Sequence, residues 1–391
     1  MTALTWRVLT RRDELAALEP AWMALLSASG HNEVFVSPPW MLTWYDLFGP
    51  LGGRKLCCLA VEEGGELVGL APLLRRRYWY SPGLPFRRLE SLASGENEAD
   101  SICSDHLTIL ARADRELPVA QTLVEALAAR QLGAWDELLI PLMDGSGNMA
   151  GILTSAARQA GWLADCSPMT EAPYISLPDT WEAYLANLSS SARYFLRKSI
   201  RDFETWSEGT ATYHVATTPA ELEEGWRILI ELHQGRWQGT GRGVFRSQLF
   251  LEFHRRIMRR FLESGNLELI WLCVQARPLA ATYNFLWGEK TAFYQCGRAM
   301  DLPPKIRPGI VLHARAIQRA IQEGRREYDF LGGAAHYKQQ LSTGSRPLVQ
   351  LRISRPCLVE SARQLGERVK AMLRPLYRRL KGTTQKVEEG E

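Results

Sequence analysis

The stretch that most constrains this chain runs from Ala280 to Lys338. Two β-like runs, 280–287 and 291–298, flank the turn signal Gly288-Glu289-Lys290. A Pro-rich, basic loop follows over 301–308. Gly309 then opens a helical run, 310–323, with apolar residues at Ile310, Val311, Ala314, Ile317, Ala320 and Ile321. Gly324 stops that helix, and a short strand over 327–331 leads into Gly332-Gly333. The order strand, strand, loop, helix, strand implies a mixed α/β fold.

The loop-to-helix junction carries the chemistry. The first turn of a helix presents unpaired N–H groups and partial positive charge, which suits a phosphate or pyrophosphate. Pro308 fixes φ without offering an N–H, and Gly309 lets a ligand approach the backbone. Lys305 and Arg307 add charge beside it. On spacing alone, an ordinary Pro-Gly helix start accounts for the same residues equally well.

At 391 residues the chain is long enough for two domains, and 46% hydrophobic content supplies their cores. The seven cysteines include no CxxC and no Cys/His set with metal spacing, so reduced, buried thiols and no metal are expected. No apolar leader and no run of membrane-spanning length is present, and a cytoplasmic protein is expected. The net charge of +4 is too small to imply nucleic acid, and none is expected as a partner. Seven basic residues against Glu367 do concentrate in 362–381.

Along the chain, strands and helices alternate. The run FVSPPWMLTWYDLF (35–48) reads as a Pro-Pro break and an aromatic helix. The runs 55–62 and 66–75 form a hairpin across Gly64-Gly65, and 105–110 is a further strand. Ser189, Ser190 and Ser191 offer caps for a helix over 192–205. The segments LCCLAVEEGGELVGLAPLLRR and LELIWLCVQARPLAATYNFLW share one pattern, apolar run, turn, apolar run. A duplication follows from this reading: an N-terminal domain over 1–165, a C-terminal domain over 170–355, and a basic amphipathic helix and tail over 356–391.

Three local patterns carry a resemblance: SARYFLRKSIRDFE (191–204), LHQGRWQGTGRGVF (232–245) and RPGIVLHARAIQRAIQEGRREYDFLGGAAHYKQQ (307–340). They resemble the GNAT acyltransferases, in particular the CelD/BcsL-type acetyltransferases of cellulose biosynthesis, which are related to the tandem-domain Fem aminoacyltransferases. The resemblance covers most of 5–355. It implies tandem GNAT-like domains with mixed sheets flanked by helices, the first domain degenerate. It also implies an acyl-CoA (acetyl-CoA) co-substrate, with its pyrophosphate on the helix after Gly309. The usual GNAT loop has two small residues where this chain has Lys305-Ile306-Arg307-Pro308-Gly309-Ile310. The strand that splays in that family corresponds to 291–298, so backbone N–H groups at Gln295, Cys296 and Gly297 are candidates to face the thioester. Tyr337 stands where the family keeps a general acid. Lys338 is a candidate phosphate or carboxylate contact.

The remaining candidates have bland alternatives. His336 is a base or a structural histidine, and Asp329 is a base, an orienting group or a strand-end carboxylate. His233, Arg236 and Trp237 share one helix face ahead of the Gly-rich GTGRG, giving an acceptor-binding lid or a plain connection. Arg193, Arg197 and Arg201 form one basic face, suited to an anionic acceptor or simply solvated. In 360–381 an apolar stripe opposes the basic residues, so this helix either packs on its own domain or lies on an anionic membrane. The function expected is acyl transfer to a sugar or polysaccharide (exopolysaccharide) precursor. A Fem-like aminoacyl-tRNA-dependent transferase and a non-catalytic assembly factor for polysaccharide synthesis are the alternatives.

Overall fold

The β-forming runs gather into two sheets. The structure, a computed structural model, describes residues 3–236, 243–333, 335–370 and 372. Leu4–Leu9, Cys58–Glu63, Glu66–Ala71 and Leu110–Ala111 form a small antiparallel sheet. The expected turn at Gly64-Gly65 closes its hairpin, with both glycines at positive φ. The chain then leaves this sheet at Pro72, which has no N–H to extend a ladder. Leu73–Ser81 and Leu84–Ser91 form a second hairpin, unforeseen in the sequence, inside a large sheet. The strand expected over 105–110 is reduced to Leu110–Ala111, and 101–109 is irregular.

The large sheet has eleven strands and crosses both halves of the chain. Its C-terminal part runs Ala211–Val215, Leu267–Val274, Arg277–Trp287 and Lys290–Arg298, all antiparallel. The Pro308–Gln322 helix then makes the crossover to Glu327–Asp329, which lies parallel to Lys290–Arg298. That parallel pairing covers only Lys290, Thr291 and Ala292. Beyond Ala292 the two strands separate. A bulge at Tyr294, where Tyr283 opposes Gln295 and Asn284 opposes Phe293, adds twist at the same place.

The expected domain boundary, 165–170, falls inside the 14-residue strand Leu163–Ser176. This strand pairs with Glu327–Asp329 on one side and with Gly344–Ser354 on the other. Gly344–Ser354 pairs in turn with Glu137–Asp144. The first half's last strand is therefore interleaved with the second half's, and no linker separates them.

The core continues across the same junction. The buried Pro38–Phe48 helix sends Trp40 against Phe253 and Phe285, with ring centroids 4.8 and 5.2 Å apart. Its indole N–H donates to Ser104 Oγ at 2.9 Å. Trp44 donates to Glu96, whose other oxygen accepts from Ile102 N at 2.7 Å. The aromatic helix thus fastens the irregular 96–106 segment from below.

Seven cysteines are free, and Cys103 and Cys166 are exposed rather than buried. Among the described residues no helix is long and apolar enough to cross a membrane. Residues 358–370 are helical. Their apolar stripe is not packed on the domain: Leu365 and Met372 are 62% and 67% exposed. Residues 373–391, with the rest of the expected stripe, lie outside the described residues.

Candidate functional site

Two cavities meet where Lys290–Arg298 parts from Glu327–Asp329. The larger, about 520 Å³, runs from the Pro308–Gln322 helix start to Tyr337. Its walls are the 298–310 loop, Phe195 from the Ser190–Ser207 helix, and His313. Gly309 and Ile310 lie in its lining, with Arg298 and Arg307 beside them. The Arg307 guanidinium sits 5.0 Å from the Phe195 ring, which aims the charge along the cleft. A Cβ on Gly309 would meet only Arg298 Cδ at 3.7 Å, so the helix terminus is open to the cleft. These features fit a pyrophosphate-bearing ligand.

The smaller cavity, about 220 Å³, is lined by Cys103, Asp105, His233, Gln295, Leu331, Gly332 and Lys338 among others. Cys296 and Tyr337 border both cavities. A ligand reaching down the cleft and one held in the pocket would therefore meet at these two residues, against the strand edge that the splay opens.

Asp105 is the pocket's buried carboxylate, and it comes from the first half. Its Oδ2 accepts the Gly332 N–H at 2.7 Å. Burial pushes its pKa up, against the lowering effect of His106, the Gly332 N–H and Lys338. Such a carboxyl is poised to accept a proton. Next to it His106 Nε2 and Asp329 Oδ2 are 2.9 Å apart, and both residues are buried. Burial opposes the imidazolium, but Asp329, Glu33 and Asp105 outweigh it and raise His106 to about 9. Burial likewise opposes the Asp329 carboxylate, and His106 and Arg346 overcome it, lowering Asp329 to about 2.

The 330–332 turn is clamped from three sides. Asp329 Oδ1 accepts the Leu331 N–H at 2.7 Å, Asp105 takes that of Gly332, and Lys338 Nζ donates to the carbonyls of Phe330 and Gly332 at 2.7 and 2.8 Å. A Cβ at 332 would lie 3.1 Å from Thr170 and 3.2 Å from Asp105, so a side chain there would have to push both back by a few tenths of an ångström, and glycine lets the turn sit this close. Cys103, His106 and Leu331 all hold positive φ on either side of the pocket, a strain that the surrounding bonds maintain.

The structure sorts the residues singled out by sequence. Gln295, Cys296, Arg307, Gly309, Ile310, Tyr337, Lys338 and His233 line one or both cavities. Gly297 serves packing: a Cβ there would strike His233 N and Leu232 Cβ at 2.7 Å, so its absence lets the Pro219–Arg236 helix bring His233 to the pocket. Pro308 is buried at the first helical position and Lys305 is exposed outside the cleft. Asp329 is not on a cavity wall; its oxygens are held by His106 and Leu331 N. His336 is an exposed residue at the start of the His336–Leu341 helix and borders neither cavity. Lys338 spends its ammonium on backbone carbonyls, and burial lowers its pKa.

Arg193 donates to the carbonyls of Ala186 and Leu188, closing the end of the preceding helix. Arg197 and Arg201 are exposed, and at 3.6 residues per turn their face is roughly opposite Phe195, the residue that reaches the cleft. Trp237, the Arg236 side chain and the glycine-rich segment up to 242 lie outside the described residues.

Sequence reading missed Asp105, His106 and His313. His313 lies 5.3 Å from the Tyr337 ring, and burial, with Lys338, lowers its pKa to about 3, so it stays neutral. The signal for the first two was the acid-His pair Asp105-His106 in SICSDH, a polar break between apolar runs.

Among the described residues no group of three or more His, Cys, Asp or Glu converges to hold a metal.

Residues 190–339 match the acetyltransferase (GNAT) domain family model. No match is found among curated proteins. The fold is similar to the crystal structure of FemX, with a TM-score of 0.59 at 11% identity, covering 92% of this chain and 99% of that one. It is also similar to a conserved protein of unknown function from Bacteroides thetaiotaomicron VPI-5482, with a TM-score of 0.52 at 14% identity over 90% and 100% of the two chains. A third neighbour is the C-terminal domain of a protein described as a lysylphosphatidylglycerol synthetase from Agrobacterium fabrum, with a TM-score of 0.51 at 10% identity over 88% and 92%. The fold is thus a mixed α/β architecture shared along nearly the whole chain with FemX, and residues 190–339 carry the match to the acetyltransferase (GNAT) domain.

Proposed function

We propose that this chain is an acyl-CoA-dependent N- or O-acyltransferase whose donor lies in the larger cleft and whose acceptor enters the smaller pocket. The observation that carries this reading is the meeting of the two cavities at Cys296 and Tyr337, beside a splayed strand edge. In this reading the donor's pyrophosphate rests on the N–H groups at Gly309 and Ile310, with Arg307 and Arg298 beside it.

The acceptor's nitrogen or oxygen attacks the thioester carbonyl carbon. Its proton passes to Asp105, whose pKa burial has raised. Backbone N–H groups of the 295–297 edge stabilise the oxyanion. The C–S bond then breaks, and the Tyr337 hydroxyl gives its proton to the leaving thiolate. Lys338 and the His106–Asp329 pair hold the 330–332 turn and the charge balance around Asp105. His233 orients the acceptor.

A pocket of about 220 Å³ with Asp105, His233 and Gln295 in its walls accommodates an acceptor group the size of one sugar ring, which keeps a sugar or exopolysaccharide precursor as the proposed acceptor class. With acyl-CoA as donor, the reaction belongs in the cytoplasm. The basic segment over 360–381 would bring the enzyme to a membrane-borne precursor.

The test is calorimetric titration of acetyl-CoA into the wild type and Gly309→Asp. Open space at Gly309 means that the variant folds with an unchanged melting temperature. Donor affinity should fall at least thirtyfold, about 2 kcal/mol, because a carboxylate occupies the phosphate position. Equal affinity in both proteins, or binding of charged tRNA in preference to acetyl-CoA, overturns the proposal.

A further inference from the structure

The Leu73–Ser81 and Leu84–Ser91 hairpin projects from the large sheet. On one side only Lys55–Leu56 pairs with it, reaching Leu74 and Arg75. On the other, Glu137–Leu139 reaches Arg88–Glu90 and no further. Residues 76–87 therefore form a two-stranded arm, about 15 Å long at 3.3 Å per residue, with no strand beside it among the described residues. Two-stranded arms are marginal alone. This one is braced on its inner face, where Phe86 is buried, Tyr80 donates to Glu137, and the Arg363 guanidinium lies 5.6 Å from the Tyr80 ring.

The outer side is different. Residues 73–89 contain five arginines and no acid. Register sets Arg76 against Arg88 and Arg77 against Arg87, and like charges directly opposite destabilise a ladder. The inner pair is neutralised by Glu90 and Glu137, and Arg87 by Asp136. Arg75 and Arg77 are exposed and have no ion pair among the described residues. Beyond them the tip turns apolar: Trp79 is 52% exposed and is followed by Pro82, Gly83, Leu84 and Pro85.

We infer that this arm docks on an anionic lipid surface, with Trp79 and the Pro82–Pro85 tip in the headgroup region and Arg75 and Arg77 at the phosphates. Charge and hydropathy are segregated along the arm's axis, aromatic and apolar at the tip, cationic at the stem. That order suits an interface in which polarity changes with depth. Nucleic acid would instead call for aromatic and basic residues interleaved on one face. The anionic surface also supplies the counter-charge that Arg75 and Arg77 lack among the described residues. The helix over 358–370 touches the arm through Arg363 and Tyr80 and has its own apolar stripe exposed, so a second contact is available near the first. The inference stands independently of the acyl-transfer reading.

The experiment is co-sedimentation of the full chain with vesicles of phosphatidylcholine alone and of phosphatidylcholine with phosphatidylglycerol. Binding is expected to the anionic vesicles only, and to weaken as salt shortens the screening length. The Arg75→Glu/Arg77→Glu variant should lose at least about 25-fold in partition coefficient, near fivefold for each cation removed. Trp79→Ser should weaken binding severalfold. Both changes are on exposed residues, so melting temperature and acyl transfer to a soluble acceptor should hold. Equal binding to neutral vesicles, no binding at all, or full binding by both variants overturns the inference. So does RNA retention that the same variants abolish while vesicles are ignored.

Discussion

The two cavities that share Tyr337 are built in different ways. The larger cleft takes its whole lining from residues 195–337 of the second half, around one helix start and one loop. The smaller pocket is assembled across the molecule: Cys103 and Asp105 come from the first half, and Leu331, Gly332 and Lys338 from the second. The cleft is a local device that tolerates change at its edges. The pocket depends on interleaved strands, a strained turn and four buried charged side chains, Asp105, His106, Asp329 and Lys338, gathered around that turn from both halves. The first half is thus an integral wall of the smaller pocket.

Three changes break or sharpen that contrast. Dividing the chain at the expected domain boundary has the largest effect. Expressed alone, 170–391 lacks the first part of the Leu163–Ser176 strand and the Glu137–Asp144 partner of Gly344–Ser354. It should show no cooperative melt by circular dichroism. A folded fragment that still binds acetyl-CoA would mean the halves are independent after all.

Next comes Asp329→Asn, which leaves the His106 imidazolium buried without its counter-charge. Breaking such a pair costs about 3–5 kcal/mol. The pH dependence identifies the cause. His106 is held at about 9 in the folded protein against an ordinary 6.5, so its stabilisation is complete below pH 6.5 and is lost as pH rises through 9. Asp329, lowered to about 2, works in the other direction, contributing above its ordinary 3.8 and losing that contribution as pH falls through 2. Denaturant melts should show wild-type stability declining between pH 6.5 and 9, and a flatter profile in the variant. Parallel profiles would remove the pair from the account.

The smallest effect is expected from Arg197→Ala/Arg201→Ala. These side chains face away from both cavities, so kcat/KM should stay within about twofold, the range of ordinary surface changes. A tenfold loss would restore the basic helix face to the acceptor site.

The same contrast explains what was legible in the sequence. The Pro308-Gly309 junction, the helix spacing after it and the Tyr337-Lys338 pair lie close together in the chain, so periodicity and turn residues disclose the cleft. Asp105 is 227 residues from the Gly332 N–H it accepts, and nothing near it in sequence marks that partner. Asp329 and Lys338 were visible as charged residues, but their roles were not, because whether a charge faces a ligand or a backbone carbonyl is decided by tertiary packing. The hairpin at 73–91 was hidden by its arginines, which obscure the alternation of a strand until the acids beneath them are known. The boundary near 165 looked like a break because Leu163–Ser176 is half exposed and carries a mixed, polar pattern.

The most direct measurement pairs donor binding with turnover in Asp105→Asn. The change keeps shape and removes the proton acceptor, and it lies outside the donor cleft. Acetyl-CoA affinity by calorimetry should match the wild type, while kcat for acetyl transfer to an amine or sugar acceptor falls by about 10²-fold or more. Undiminished kcat, or donor affinity lost together with turnover, would contradict a site completed by the first half of the chain.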